Sequence, residues 1–187
     1  MTGEVLPFFL SLAALAIAAL LIDLALHLSN LVWIERYLGI LGTLLILGSF
    51  GYSMRRRKLI KSGNLAALLR LHEYMAWVGS LMILVHGGIH FNSILGWLAV
   101  WAMLVNVASG LTGKFLLNRA RRRMTDTRQS AIEQGTTTVE WEQQVYWNSL
   151  TFDVVKQWRA VHFPITLAFS VLALGHIAAV LIFWGWK

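Results

Sequence analysis

The sequence predicts an all-α integral membrane protein: a bundle of five transmembrane helices in a single membrane domain over residues 1–187. Its composition is apolar, with 57% hydrophobic and 13% charged residues, whereas soluble domains average about 45–50% apolar and ~25% charged. Five apolar segments approach or exceed the ~20 residues that cross a bilayer. The basic residues gather beside the ends of two of these segments instead of spreading along the chain.

The predicted helices cover about 5–28, 33–54, 66–91, 94–117 and 160–184, and residues 119–158 are predicted to be a cytoplasmic loop in which 138–141 opens a short surface helix. The basic runs MRRRKLIK (54–61) and RARRR (119–123) follow the second and fourth segments. Because Lys and Arg concentrate on the cytoplasmic side, we expect a cytoplasmic N-terminus and an outer C-terminus. The expected location is the inner (cytoplasmic) membrane, with several passes through lipid.

Several function classes are disfavoured by the composition. The net charge of +7 lies in the two basic runs, which favours helix anchors over a nucleic-acid surface, so no nucleic-acid partner is expected. The chain has no cysteine, which excludes disulfides, thiolate metal sites and C-x-x-C-H haem attachment. It also has no G-x-G-x-x-G or phosphate-loop fingerprint, so nucleotide or flavin chemistry would have to come from another subunit.

The histidines carry the most informative pattern. Two of them lie 14 residues apart on the third segment, and two more lie 14 residues apart on the fifth: His72 and His86, and His162 and His176. Fourteen residues at ~100° each fall ~40° short of four turns and rise ~21 Å, so each pair shares a helix face. Since both segments run in the same direction, His72 is level with His162, and His86 is level with His176.

Two neutral imidazoles that face each other across a planar gap form the ligand set of a six-coordinate b-type haem. Small residues beside the histidines, among them Gly79, Gly87 and Gly88, are expected to leave room for a flat macrocycle, although small residues also serve helix packing. Arg70 and Arg159 precede His72 and His162 by two and three residues. They are either partners for haem propionates or ordinary interfacial charges.

The stretches LHEYMAWVGSLMILVH (71–86) and VHFPITLAFSVLALGH (161–176) resemble the paired H-x13-H repeats of membrane di-haem cytochromes b. That class includes small bacterial cytochrome b subunits, ferric-reductase-like transmembrane domains and the helical core of bc complexes. The resemblance covers the third to fifth segments. It implies that the four paired histidines are axial iron ligands of two non-covalent b haems.

The function implied is electron transfer across the membrane, as the membrane subunit of a respiratory oxidoreductase that exchanges electrons with quinone or a redox partner. Other subunits are therefore expected, and quinone is a candidate ligand. No Pro-Glu-Trp-Tyr quinol motif is present. The alternative is a haem-free transporter or assembly protein that uses its histidines for protons or a metal ion.

Three further residues are candidates for a quinone or proton site: His90, Asp23 and His27. His90 lies 18 residues after His72, and the resulting rise of ~27 Å does not match the fifth segment, so we expect it at the outer interface. A carboxylate within a transmembrane segment is a functional candidate by default, which singles out Asp23, although it and His27 could also make polar contacts with a neighbouring helix.

Overall fold

The structure, a computed structural model, describes residues 2–88, 93–134 and 138–183. Within these residues the chain is entirely helical apart from short turns. The helices are α1 (Thr2–Leu28), α2 (Trp33–Ser49), α3 (Gly51–Arg56), α4 (Leu65–Gly87), α5 (Ile94–Gln134) and α6 (Thr138–Phe183).

Five stretches are long and apolar enough to cross a membrane: Leu6–Leu28, Trp33–Arg56, Leu65–Gly87, Ile94–Arg119 and Lys156–Phe183. Large apolar side chains stay exposed along these stretches, among them Leu21, Leu44 and Leu174. Such extensive apolar exposure is rare on a soluble monomer and suits a lipid environment. The predicted all-helical bundle with five membrane-compatible helices is therefore confirmed, and the helices support a multi-pass membrane protein.

The turn between α1 and α2 is tight, and it fixes how the two helices meet. Asn30 adopts a left-handed φ of 55°, the backbone N–H of Leu31 donates to the carbonyl of Leu26, and that of Asn30 donates to the carbonyl of His27. These two bonds form a Schellman ending, in which asparagine tolerates the left-handed conformation better than most residues. The end of α1 is thereby placed directly beside the start of α2.

The chain turns again after α3, which continues α2 with little deviation. Lys58 ends α3 in the left-handed region, with a φ of 62°. The side chain of Asn64 then caps α4 by accepting a hydrogen bond of 2.9 Å from the backbone N–H of Ala66. We refer to this side of the bundle, which carries Arg55–Arg57, as the basic end, and to the side with the α1–α2 turn as the opposite end.

Helices α2 and α4 pack closely because glycines face each other where they cross. A Cβ atom on Gly42 would lie 2.9 Å from the carbonyl oxygen of Gly79, and one on Gly79 would lie 3.0 Å from that of Gly42. Gly79 therefore has a packing role, as small residues commonly do between membrane helices. The expectation that it leaves room for a cofactor is not supported by this contact.

Helices α5 and α6 form the second close pair. The hydroxyl oxygen of Thr166 lies 2.7 Å from the side-chain oxygen of Asn106, and 2.9 Å from the carbonyl oxygen of His162. Asn106 thus bonds an adjacent helix. Pro164 interrupts the regular hydrogen bonding of α6 close to this contact, which membrane helices tolerate where neighbouring groups satisfy the backbone.

The polar stretch 119–158 differs from the predicted loop. The backbone of α5 continues to Gln134, and α6 already begins at Thr138, so both helices extend well beyond their apolar spans. The stretch is rich in Arg, Gln and Glu and contains no proline, and these residues favour helix. A hydropathy profile shows where a helix leaves the lipid but not where the helix ends. The continuation of α5 and α6 beyond their apolar spans was therefore not predicted.

Candidate functional site

The four paired histidines lie on two helices that do not pack on each other. His72 and His86 belong to α4, whereas His162 and His176 belong to α6. Within the described residues, no Cα atom of α6 comes within 8 Å of a Cα atom of α4, and α6 packs only on α5. The backbones of the two histidine-bearing helices are therefore apart, and only side chains can approach each other across the space between them.

The four imidazoles lie near enough across this space to interact electrostatically in two pairs. His72 interacts electrostatically with His162, and His86 does so with His176. The matched spacing in the sequence predicts these same two pairs, one toward the basic end and one toward the opposite end. Their role as ligands stays a prediction.

Both α4 histidines are oriented by backbone carbonyls of α2. His72 Nδ1 lies 3.0 Å from the carbonyl oxygen of Ser49, and His86 Nδ1 lies 2.9 Å from that of Glu35. A carbonyl can only accept, so Nδ1 carries the proton in each bond. In a neutral imidazole the other nitrogen, Nε2, then keeps its lone pair. Each ring is thus held in the tautomer that a metal-ligating histidine adopts, with its second nitrogen bonded to the protein.

The α6 histidines have different surroundings. His162 Nδ1 lies 3.0 Å from the hydroxyl oxygen of Ser109. Its ring also stacks on the indole of Trp158, with centroids 5.0 Å apart and an interplanar angle of 22°. Trp158 is held in turn by its N–H, which donates to the backbone carbonyl of Ser109 over 2.8 Å. His176 Nδ1 is buried and has no hydrogen-bond partner within the described residues.

Glycines on neighbouring helices leave the space that two of the rings occupy. A Cβ atom on Gly39 would lie 2.6–2.8 Å from the ring atoms of His86, and one on Gly96 would lie 3.2 Å from His176 Cε1. The corresponding distance from Gly110 to His162 Cε1 is 3.9 Å. Sequence reasoning missed these glycines because it searched for small residues on the histidine-bearing helices themselves.

The two glycines singled out from the sequence have local structural reasons to be there. A Cβ atom on Gly87 would lie 3.3 Å from a methyl carbon of Val100 on α5. Gly88 caps the end of α4 with a φ of 44°, a conformation that other residues rarely adopt. Both lie beside His86, and their proximity to a cofactor stays a prediction.

Arginines gather beside the His72–His162 pair at the basic end. Arg159 interacts electrostatically with Arg56 and with Tyr52, and Arg56 donates to the Tyr52 hydroxyl over 2.9 Å. Tyr52 lies beside His72, with ring centroids 5.8 Å apart. Two guanidinium groups whose charges interact in this way would both be stabilised by an anion between them. Arg56, which the sequence indicated only as a membrane anchor, therefore belongs to this site.

Two other arginines of the basic end have different surroundings. Arg57 lies over the ring of Phe163 at 4.8 Å, so its side chain reaches from the α3 side of the bundle to α6. Arg70 is exposed, as an interfacial charge would be. A role for Arg70 or Arg159 as a propionate partner stays a prediction.

A second cluster occupies the opposite end. His27 Nδ1 lies 3.4 Å from Glu35 Oε1 and 3.8 Å from Asp23 Oδ1, and it also bonds the backbone carbonyl of Asp23 over 2.9 Å. Glu35 is buried although it was not identified from the sequence. The sequence pointed toward this cluster because Asp23 is a carboxylate within a transmembrane segment; the i,i+4 spacing of Asp23 and His27, which places them on one helix face, is a further signal in the sequence. The remaining candidate, His90, lies outside the described residues.

In comparisons with known proteins, no family model, no curated protein and no solved structure matches this chain. The function is therefore inferred from the residues and their geometry alone.

Proposed function

We propose that this protein is a di-haem b-type cytochrome that passes electrons across the membrane, with His72 and His162 ligating one haem and His86 and His176 the other. The observation that carries the proposal is the double H-x13-H repeat on α4 and α6, whose four imidazoles form two pairs across a space free of backbone contact. Haem bound in this way supplies reversible one-electron chemistry at its iron.

The donor set supports this proposal. The hydrogen bonds to the carbonyls of Ser49 and Glu35 leave Nε2 of His72 and His86 able to act as ligands. His162 is oriented in a similar way, because its Nδ1 lies 3.0 Å from the hydroxyl oxygen of Ser109.

The two histidine pairs have differently charged surroundings, which would give the two bound haems different reduction potentials. The arginines at the basic end, Arg56 and Arg159, would hold haem propionates by charge-assisted hydrogen bonds. The acidic residues Asp23 and Glu35 lie at the opposite end. Nearby positive charge disfavours the oxidised form of the iron, and nearby negative charge favours it. We therefore expect the basic-end haem to have the higher reduction potential.

The orientation belongs to the same proposal. The basic end would face the cytoplasm by the positive-inside tendency, with a cytoplasmic N-terminus and an outer C-terminus in the inner membrane. Because no nucleotide or flavin fingerprint accompanies the helices, the protein would serve as the membrane subunit of a larger respiratory oxidoreductase, with quinone or a protein as its redox partner.

A haem-free transporter or assembly protein is the second candidate, and the buried carboxylate of Asp23 within a membrane span is the observation that favours it. The two candidate functions predict different absorption spectra. We expect a reduced-minus-oxidised spectrum of the purified protein to show the α band of b haem. His72→Ala and His176→Ala should each weaken this band, whereas the matched control His27→Ala, outside both pairs, should leave it unchanged. A colourless, folded protein would exclude the haem proposal.

A further inference from the structure

The cluster at the opposite end is built by three separate features of the chain. Asp23 and His27 lie one turn apart on α1, and the Schellman turn at Asn30 brings Glu35, in the first turn of α2, back against them. One ligand atom from each of the three residues lies within 4.8 Å of the others. The site is therefore assembled from two helices and the turn that joins them.

A second observation points to a missing ligand at this place. Asp23 is only 8% exposed, and its Oδ1 atom is buried with no hydrogen-bond partner within the described residues. This is the carboxylate oxygen that faces His27. A protonated His27 would face this oxygen at 3.8 Å without bonding it, whereas a metal ion would bond it directly, and buried charges are normally paired or coordinate metals.

We propose that Asp23, His27 and Glu35 form a binding site for a divalent transition-metal ion of the zinc class. In a tetrahedral site with bonds of ~2.1 Å, two ligand atoms lie about 3.4 Å apart. The distances from His27 Nδ1 are 3.4 Å to Glu35 Oε1 and 3.8 Å to Asp23 Oδ1. The two distances from His27 are therefore within a few tenths of an ångström of the tetrahedral value, and all three ligand atoms lie within 4.8 Å of one another.

Charge and donor type agree with this assignment. Two carboxylates carry a charge of −2, which a divalent cation neutralises, and the carbonyl end of α1 adds a partial negative charge beside it. One imidazole with two carboxylates suits first-row transition metals better than Mg²⁺, which prefers oxygen ligands throughout.

An ion can reach the site from solvent, and His27 Nδ1 can give up its present hydrogen bond to bind the ion. The side chain of His27 is 42% exposed, so an ion can reach the cluster from that side. His27 Nδ1 bonds the carbonyl of Asp23, which also accepts a regular helical bond from the backbone of His27. Exchange of the Nδ1 proton for the metal therefore leaves no backbone group unsatisfied. The proposal is independent of haem binding.

Zinc binding to the full-length protein in lipid nanodiscs tests this site, measured by calorimetric titration with metal analysis after dialysis. We expect one Zn²⁺ per chain at the site, and an increase in its Kd of at least ~10-fold in Asp23→Asn and in His27→Gln. The exposed His27 keeps the test usable if the buried Asp23→Asn variant fails to fold. The control Glu73→Gln removes a carboxylate at the basic end and should not change the Kd.

Three results would overturn the proposal. The first is an unmodified protein that binds no Zn²⁺, and the second is a Kd that is the same in His27→Gln as in the unmodified protein. The third is full competition by Mg²⁺ at equal concentration, because this would indicate an acidic surface without transition-metal preference.

Discussion

The contact between Gly39 and His86 offers a sharp perturbation of one histidine pair. In Gly39→Ala the new Cβ would lie 2.6 Å from Cγ of His86, whereas carbon atoms pack comfortably at about 3.5–4.0 Å. The ring would have to move by about 0.9 Å to restore contact at ~3.5 Å. Both atoms sit on ordered helices, so no flexible side-chain end can absorb the displacement.

The displacement would also lengthen the hydrogen bond that orients the ring. His86 Nδ1 lies 2.9 Å from the carbonyl oxygen of Glu35, and a shift of ~0.9 Å away from it would break the bond. Losing the bond costs about 0.5–1.5 kcal/mol, and overpacking costs about 1–3 kcal/mol. We expect Gly39→Ala to lower the free energy of unfolding by roughly 2–4 kcal/mol and to lose the haem of this pair while keeping the other.

Two matched variants serve as controls, and each adds the same methyl group to a helical glycine. A Cβ on Gly110 would lie 3.9 Å from His162 Cε1, which is ordinary contact, and one on Gly51 would meet nothing within 4 Å. Both variants should retain two haems and unfold at or slightly above the normal temperature, because alanine favours helix over glycine by up to ~1 kcal/mol. The assay is haem content per chain by pyridine haemochrome, together with thermal unfolding in detergent. Two haems and normal stability in Gly39→Ala would refute the argument.

Three further predictions concern packing and charge. Trp158→Phe keeps a ring stacked on His162 but removes the indole N–H, so thermal unfolding should show a loss of about 1 kcal/mol in stability. The absorption spectrum of the basic-end haem should also shift, and an unchanged spectrum would argue against the stacking contact. Gly42→Ala places a Cβ against the Gly79 carbonyl and should separate α2 from α4, at a cost of about 1–3 kcal/mol; normal unfolding would show that the helices adjust freely. Glu73→Gln breaks the partly exposed ion pair of 2.9 Å between Glu73 on α4 and Lys114 on α5. It should cost at most ~1 kcal/mol, less at high salt; a larger, salt-independent loss would contradict this.

The membrane helices were accessible from the sequence because they depend on local periodicity, and the predicted histidine pairing depends on the same periodicity. Hydropathy and length identify the five spans. A spacing of 14 residues fixes height and face on a single helix, so equal spacing on two parallel helices predicts which imidazoles are level without any knowledge of packing.

Contacts between helices were not accessible in the same way. Gly39 and Gly96 meet histidines only because of how α2 lies on α4 and how α5 lies on α6. Glu35 joins Asp23 only through the turn at Asn30, whose left-handed conformation a single asparagine does not reveal in sequence. The extension of α5 and α6 beyond the apolar spans was missed because a polar helix lacks the hydropathy signal.

The central claim is the pairing of histidines by level, and haem counts in two double variants test it directly. If His72 pairs with His162 and His86 with His176, the unmodified protein should hold two haems per chain. His72→Ala with His162→Ala should then retain one, because only one pair is damaged. His72→Ala with His86→Ala should retain none, because it damages both pairs. Equal haem content in the two folded double variants, or an unmodified protein without haem, would contradict the account.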